Sequence, residues 1–123
     1  MSKPDDLLVD VAAMVESEQT NQMSLTVVVP GAVITGRLAP EALWRERVAE
    51  VLRDSARLTH FAVPFTEAGG GGDPARPTHL HFHVARILQG SYGIPDTGGM
   101  YRVDLAEVSA WTVGDIRYAD QST

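Results

Sequence analysis

The sequence predicts an α+β fold: a small, strongly bent antiparallel sheet with an N-terminal helix and an inserted helix. Three observations carry this expectation. Strand-like stretches cluster instead of alternating with helices, which favours a curled or barrel-like sheet over a doubly wound one. Two β-branched runs flank Pro30-Gly31, the mark of a hairpin. Residues 78–87 alternate between apolar and polar with a period of two, as a half-buried strand does.

Residues 4–17 read as the N-terminal helix. Leu7, Leu8, Val11, Ala12, Met14 and Val15 recur at three- and four-residue steps, giving one apolar stripe. Pro4 suits a first turn, and Asp5 and Asp6 complement the positive end of the helix dipole. Ser24–Val29 and Ala32–Leu38 are the arms of the hairpin. Gly36 has no side chain to pack, so it marks a bulge, a sharp bend or the close approach of another backbone.

Pro40 opens the longer, inserted helix, which is expected to run to about residue 58. Trp44, Val48, Val51, Leu52 and Ser55 line one face, with Leu43 on the flank. A short extended piece at 61–65 leads into a loop at about 66–77. Its four glycines lack the Lys-Ser/Thr ending and the strand-to-helix setting of a phosphate-binding loop. After the histidine strand, a turn-rich stretch at 89–99 precedes a strand at 100–105. Residues 106–114 continue the sheet after a turn or bend, and Ile116 and Tyr118 extend it before a polar tail at 119–123. Residues 1–123 read as a single domain, with sheet and inserted helix spanning 24–118.

Composition narrows the function. A chain that is 44% hydrophobic and 21% charged is globular in character, which argues against wholesale disorder. No apolar run approaches the roughly 20 residues that a bilayer requires, so no membrane partner is expected. The first residues lack the basic region and apolar segment of a secretory signal, and there is no cysteine for disulfides or thiolate metal sites. The expected location is cytoplasmic. A net charge of −6 opposes non-specific attraction to nucleic acid. Arg45, Arg47, Arg53 and Arg57 alternate with Glu41, Glu46, Glu50 and Asp54, the pattern of a solvated, salt-bridged helix face.

The candidate chemistry lies in the strand at 78–87. Alternation sends Leu80, Phe82 and Val84 one way and His79, His81 and His83 the other. Histidines two apart on a strand have Cβ atoms roughly 7 Å apart, and two such imidazoles can converge on a zinc ion. His79, His81 and His83 are therefore the metal-ligand candidates. All three on one straight strand do not converge, so a third ligand has to come from His60, Glu67, Asp73 or another subunit. Against this stand an ordinary polar sheet face or subunit interface, which the residues fit best, and a pH-sensitive contact. There is no Gly-x-Ser-x-Gly and no cysteine nucleophile. Asp104, Glu107 and Asp115 read as exposed carboxylates.

Two blocks carry a resemblance. The first is Val29-Pro30-Gly31-Ala32-Val33-Ile34-Thr35-Gly36-Arg37-Leu38, followed by an aromatic-bearing helix. The second starts with the strand His79-Leu80-His81-Phe82-His83-Val84-Ala85-Arg86-Ile87 and then a Gly/Pro loop. It ends with Tyr101-Arg102-Val103-Asp104-Leu105-Ala106-Glu107-Val108 and Ser109-Ala110-Trp111-Thr112-Val113-Gly114. This order resembles the gas vesicle accessory protein U (GvpU) family over about residues 7–114. The resemblance implies a non-enzymatic accessory or interaction protein, without a cofactor, that self-associates and acts on vesicle assembly or clustering. Its implied partners are further copies of itself and other gas vesicle proteins. Trp44, Phe82, Tyr101 and Trp111 are the expected core or interface anchors.

The strand plan also resembles an Sm-like, partly open barrel. The Asp-x-x-x-Asn and Arg-Gly motifs of that family are absent, so the shape carries over without uridine binding. Two alternatives follow. An Sm-like nucleic-acid-binding module would show salt-dependent affinity for RNA. A metal-dependent enzyme built on His79, His81 and His83 would carry stoichiometric zinc.

Overall fold

The computed structural model describes residues 3–66, 75–89 and 92–114. Helix α1 spans Asp6–Glu18. It starts at Asp5, whose Oδ1 accepts the Leu7 N–H at 2.8 Å, and ends at Gln19 in the left-handed region. Leu8, Ala12 and Val15 are buried, whereas Leu7 and Met14 are 61% and 57% exposed. The apolar set read from the sequence is wider than one helix face, so it splits between core and surface.

Strands β1 (Ser24–Val29) and β2 (Ala32–Leu38) form the expected hairpin, with Val29 paired to Ala32 across Pro30-Gly31. Gly31 has φ +84°, the conformation that a Pro-Gly turn assigns to glycine.

Helix α2 covers Glu41–Arg53, shorter than expected. Beyond it, the Ser55 N–H donates to the Leu52 carbonyl and Thr59 Oγ1 donates to the Ser55 carbonyl, local bonds that compete with the helical ladder. Its packed face includes the buried Trp44 and Ala49, while Val51 lies exposed. The piece expected to be extended at 61–65 is helical instead. A 3₁₀ turn at Thr59–Ala62 runs into the short helix α3, Val63–Thr66. Pro64 falls in the first turn of α3, where its missing N–H is harmless. The Pro64 carbonyl accepts from Arg45 Nη1 at 3.1 Å, and Phe65 packs on Trp44 with ring centroids 6.1 Å apart.

Strands β3 (His79–Gln89) and β4 (Tyr92–Asp104) form a long hairpin. Most of the turn-rich stretch expected at 89–99 is therefore strand, with Ile94 paired to Ile87 and Tyr92 to Gln89. Pro95 falls between Ile94 and Gly99, in the part of β4 where the register shifts and β3 offers no partner, so its missing N–H leaves no paired position broken. A 3₁₀ turn at Leu105–Glu107 leads to β5, Ala110–Val113. Ile116, Tyr118, the tail at 119–123 and loop residues 67–74 lie outside the described residues.

The five strands form one antiparallel sheet in the order β4-β3-β2-β1-β5. Among the described residues it is open, with β4 and β5 at its edges. The α+β class with an N-terminal helix and an inserted helical region is thus the observed one. Against one face, α1 packs Leu8, Ala12 and Val15 on Leu25, Val27, Leu38 and Phe82. Here the alternation expected for β3 breaks. Val84 has φ +51° and is 60% exposed, and Ala85 takes the buried place instead. Register shifts on both sides of this point, between Thr35 and Arg37 and between Phe82 and Ala85, mark a bulge.

Candidate functional site

His79, His81 and His83 precede the bulge, so alternation keeps them on one face of β3, opposite the α1 core. Register places His79 beside Asp104, His81 beside Arg102 and His83 beside Arg37. Their environments differ. The His81 side chain is buried, 5.0 Å from the Trp44 ring at a tilt of 53°. Arg102 Nε donates to its Nε2 at 3.1 Å. A nitrogen that accepts this bond carries a lone pair, so His81 is the neutral tautomer with its proton on Nδ1. Burial pushes its pKa down to about 4. The Glu41 carboxylate opposes that shift, while Arg102, His79 and Arg45 add to it.

His79 is half-buried, with Nδ1 2.8 Å from Thr78 Oγ1. Burial lowers its pKa, and Arg102 lowers it further against Asp104 and Glu41. Burial also lowers that of His83, opposed by a hydrogen bond to the Asn21 backbone and reinforced by Arg37 and Arg47. His83 Nε2 is buried without a hydrogen-bond partner among the described residues.

The row is closed at one end by the junction of the two main helices. Pro40 gives α2 no side-chain cap, and Glu16 of α1 takes that role, its Oε2 accepting the Glu41 N–H at 2.7 Å. Glu41 in turn pairs with Arg45 at 2.8 Å. Burial raises the Glu16 pKa and the Glu41 charge raises it further, while the Glu41 N–H bond lowers it. The cavity between Glu16, Leu38, His79 and His81 measures about 10 Å³, the scale of one water molecule.

Among the described residues, no group of three His, Cys, Asp or Glu side chains is placed to hold a metal ion. The reason is visible at His81, whose Nε2 is taken by a guanidinium that also repels a cation. His60 stacks on Phe61 at 4.2 Å instead of joining the row, and Glu67 and Asp73 lie outside the described residues. Chemically, the arrangement is a packed and largely neutral histidine face.

The four aromatic candidates are spread across the fold. Trp44 lies over the histidine face and Phe82 wholly within the core. Tyr101 and Trp111 are half-buried against that core, and Trp111 Nε1 donates to Asp5 Oδ2 at 3.1 Å, tying β5 to α1. That bond, followed by the one from Leu7, holds the Asp5 carboxyl below its usual range. Sequence reasoning missed Glu16 and Arg102 as neighbours of the row, because only the helix junction and the β3–β4 register bring them there.

No helix among the described residues is long and apolar enough to cross a membrane. No curated protein and no solved structure matches the chain. The family model described as gas vesicle protein GvpU-like matches residues 5–116, nearly its whole length. The chain therefore belongs to the GvpU-like family of gas vesicle proteins.

Proposed function

We propose that the protein is a non-enzymatic accessory protein of gas vesicles that self-associates and acts on vesicle assembly or clustering through protein–protein contacts. Family membership supports the gas vesicle role. The observation that carries self-association is the sheet, open among the described residues: β4 and β5 are its edges there, and Ala110, Thr112 and Val113 of β5 are exposed. Unpaired strand edges are templates for another chain, and proteins that leave them open use them or cover them. An N-terminal helix and a five-stranded sheet in the order β4-β3-β2-β1-β5, with helices inserted between β2 and β3, also support an Sm-like strand plan.

Light scattering on a size-exclusion column, with metal analysis of the peak, tests the reading. A mass that is a multiple of 13.3 kDa, reduced by Val113→Pro in β5, is the expected outcome, because alternation from the Gly114–Ser24 bond turns the Val113 N–H away from β1. Wild-type co-sedimentation with isolated gas vesicles, lost in Val113→Pro, is the second. A monomer at every concentration would overturn self-association, and stoichiometric zinc in the peak would overturn the non-enzymatic reading.

A further inference from the structure

Helix α1 carries a second apolar stripe. Leu7 and Met14 are seven residues apart, hence on one face, turned away from Leu8, Ala12 and Val15 and more than half exposed. A groove of about 770 Å³ lies beside Met14, its lining including Asp10, Ala13, Glu16 and Ser17 of α1 and Ala75 from the segment before β3. Every charged residue within Asp6–Glu18 is acidic: Asp6, Asp10, Glu16 and Glu18.

The turn after α2 has the opposite character. Leu58, Phe61 and Val63 are 43%, 53% and 52% exposed within six residues of chain, and the His60 ring lies against Phe61. Arg53 and Arg57 are exposed and, among the described residues, form no salt bridge. Asp54 is the single carboxylate in 51–66. One apolar surface is thus set among acids and another among arginines. Isolated exposed apolar residues are ordinary, but two groups of opposite charge are complementary.

We propose that this turn docks onto α1 of a second copy of the same chain. Phe61 enters the groove beside Met14, and Arg57 faces Asp10. The proposal rests on the reading that the protein self-associates, and it adds a helix-mediated contact separate from the sheet edges. Because the two surfaces differ, the contact is heterologous and propagates from copy to copy, closing into a ring or continuing as an open chain. An open chain would gather many copies, which is what clustering requires.

The test is light scattering with size exclusion on the full chain, beside circular dichroism to verify folding. The variants are Phe61→Ser, Asp10→Arg, Arg57→Asp and the double reversal Asp10→Arg/Arg57→Asp. Each single change should raise the concentration needed for assembly at least tenfold, and the double reversal should restore it. Should Phe61→Ser fail to fold, Met14→Lys probes the facing surface. A wild-type oligomer that survives every single change overturns this docking and leaves self-association through the sheet edges standing. A double reversal without recovery overturns the Arg57–Asp10 pairing, and a monomeric wild type overturns self-association and docking together.

Discussion

Gly36 of β2 lies so close to Ala85 of β3 that a Cβ at position 36 would stand 2.6 Å from both the Cα and the Cβ of Ala85. The Val84 carbonyl would be 3.0 Å away. Only a residue without a side chain lets the bulged strand come this near. Gly36→Ala should therefore destabilise the fold, by roughly 2–3 kcal/mol on the scale of overpacked cores, because the obstructing atoms are mainly backbone. Urea unfolding measures it. A midpoint equal to that of wild type would show that the bulge is not locked by this contact.

This pair also shows where sequence reading succeeds and stops. Gly36 within a β-branched run announced a bulge, a bend or a close approach, and the structure combines a bulge with a close approach. Nothing local placed the left-handed residue at Val84, because the partner strand's register sets it. Pro30-Gly31 and the α1 start carry their own instructions and were legible. The stretch at 92–99 was not, since pairing with β3 overrides its turn-like composition. Nor was the helical turn at 59–66, where packing of Phe65 on Trp44 outweighs the extended preference of a residue before proline.

Stability should fall with pH through His81. In the folded chain its pKa is about 4, against an ordinary value of 6.5. Between pH 6.5 and 4 the unfolded chain therefore binds a proton that the folded chain refuses, and the equilibrium moves toward unfolding. Below pH 4 both states are protonated and this contribution is spent. A difference of this size corresponds to about 3 kcal/mol, and His79 and His83, lowered in the same direction, act with the same sign. His81→Phe keeps a ring beside Trp44 but cannot titrate, so its stability between pH 6.5 and 4 should decline less than that of wild type. Parallel curves for the two proteins would refute the assignment.

The histidine row itself was legible, because alternation alone puts three imidazoles on one face. What decides their chemistry was not. Burial of His81 under Trp44, the bond from Arg102 and the Glu16–Glu41 junction all arise from contacts between distant parts of the chain.

A buried hydroxyl chain crosses the same face. Thr26 and Thr35 are cross-strand partners with oxygens 2.8 Å apart, and Thr26 Oγ1 donates to the Gly114 carbonyl at 2.8 Å. Since Thr26 has one hydroxyl proton, Thr35 donates to Thr26. Thr26→Val keeps the shape but removes both bonds at once, with an expected cost of about 1–3 kcal/mol. Thr26→Ser preserves the bonds and should fall well short of that loss. Thermal unfolding of the two variants separates the outcomes, and equal melting temperatures would count against the hydroxyl chain.

Glu16 offers the last and most selective test, because its two effects oppose each other. As an acceptor it caps α2 through the Glu41 N–H, and as a charge it sits in a desolvated place near the Glu41 carboxylate. Its raised pKa means that the fold favours the protonated group: that contribution is fully present below the unfolded pKa and is lost as pH rises through the folded value, where the charge forms in a desolvated place. Glu16→Gln retains an amide oxygen for the Glu41 N–H and removes the charge, so at pH 7 the variant should match or exceed wild-type stability. Glu16→Ala removes the acceptor and should cost about 1 kcal/mol, as loss of a helix cap does. Equal destabilisation by both substitutions would mean that the carboxylate charge, not the hydrogen bond, holds the start of α2 against the end of α1.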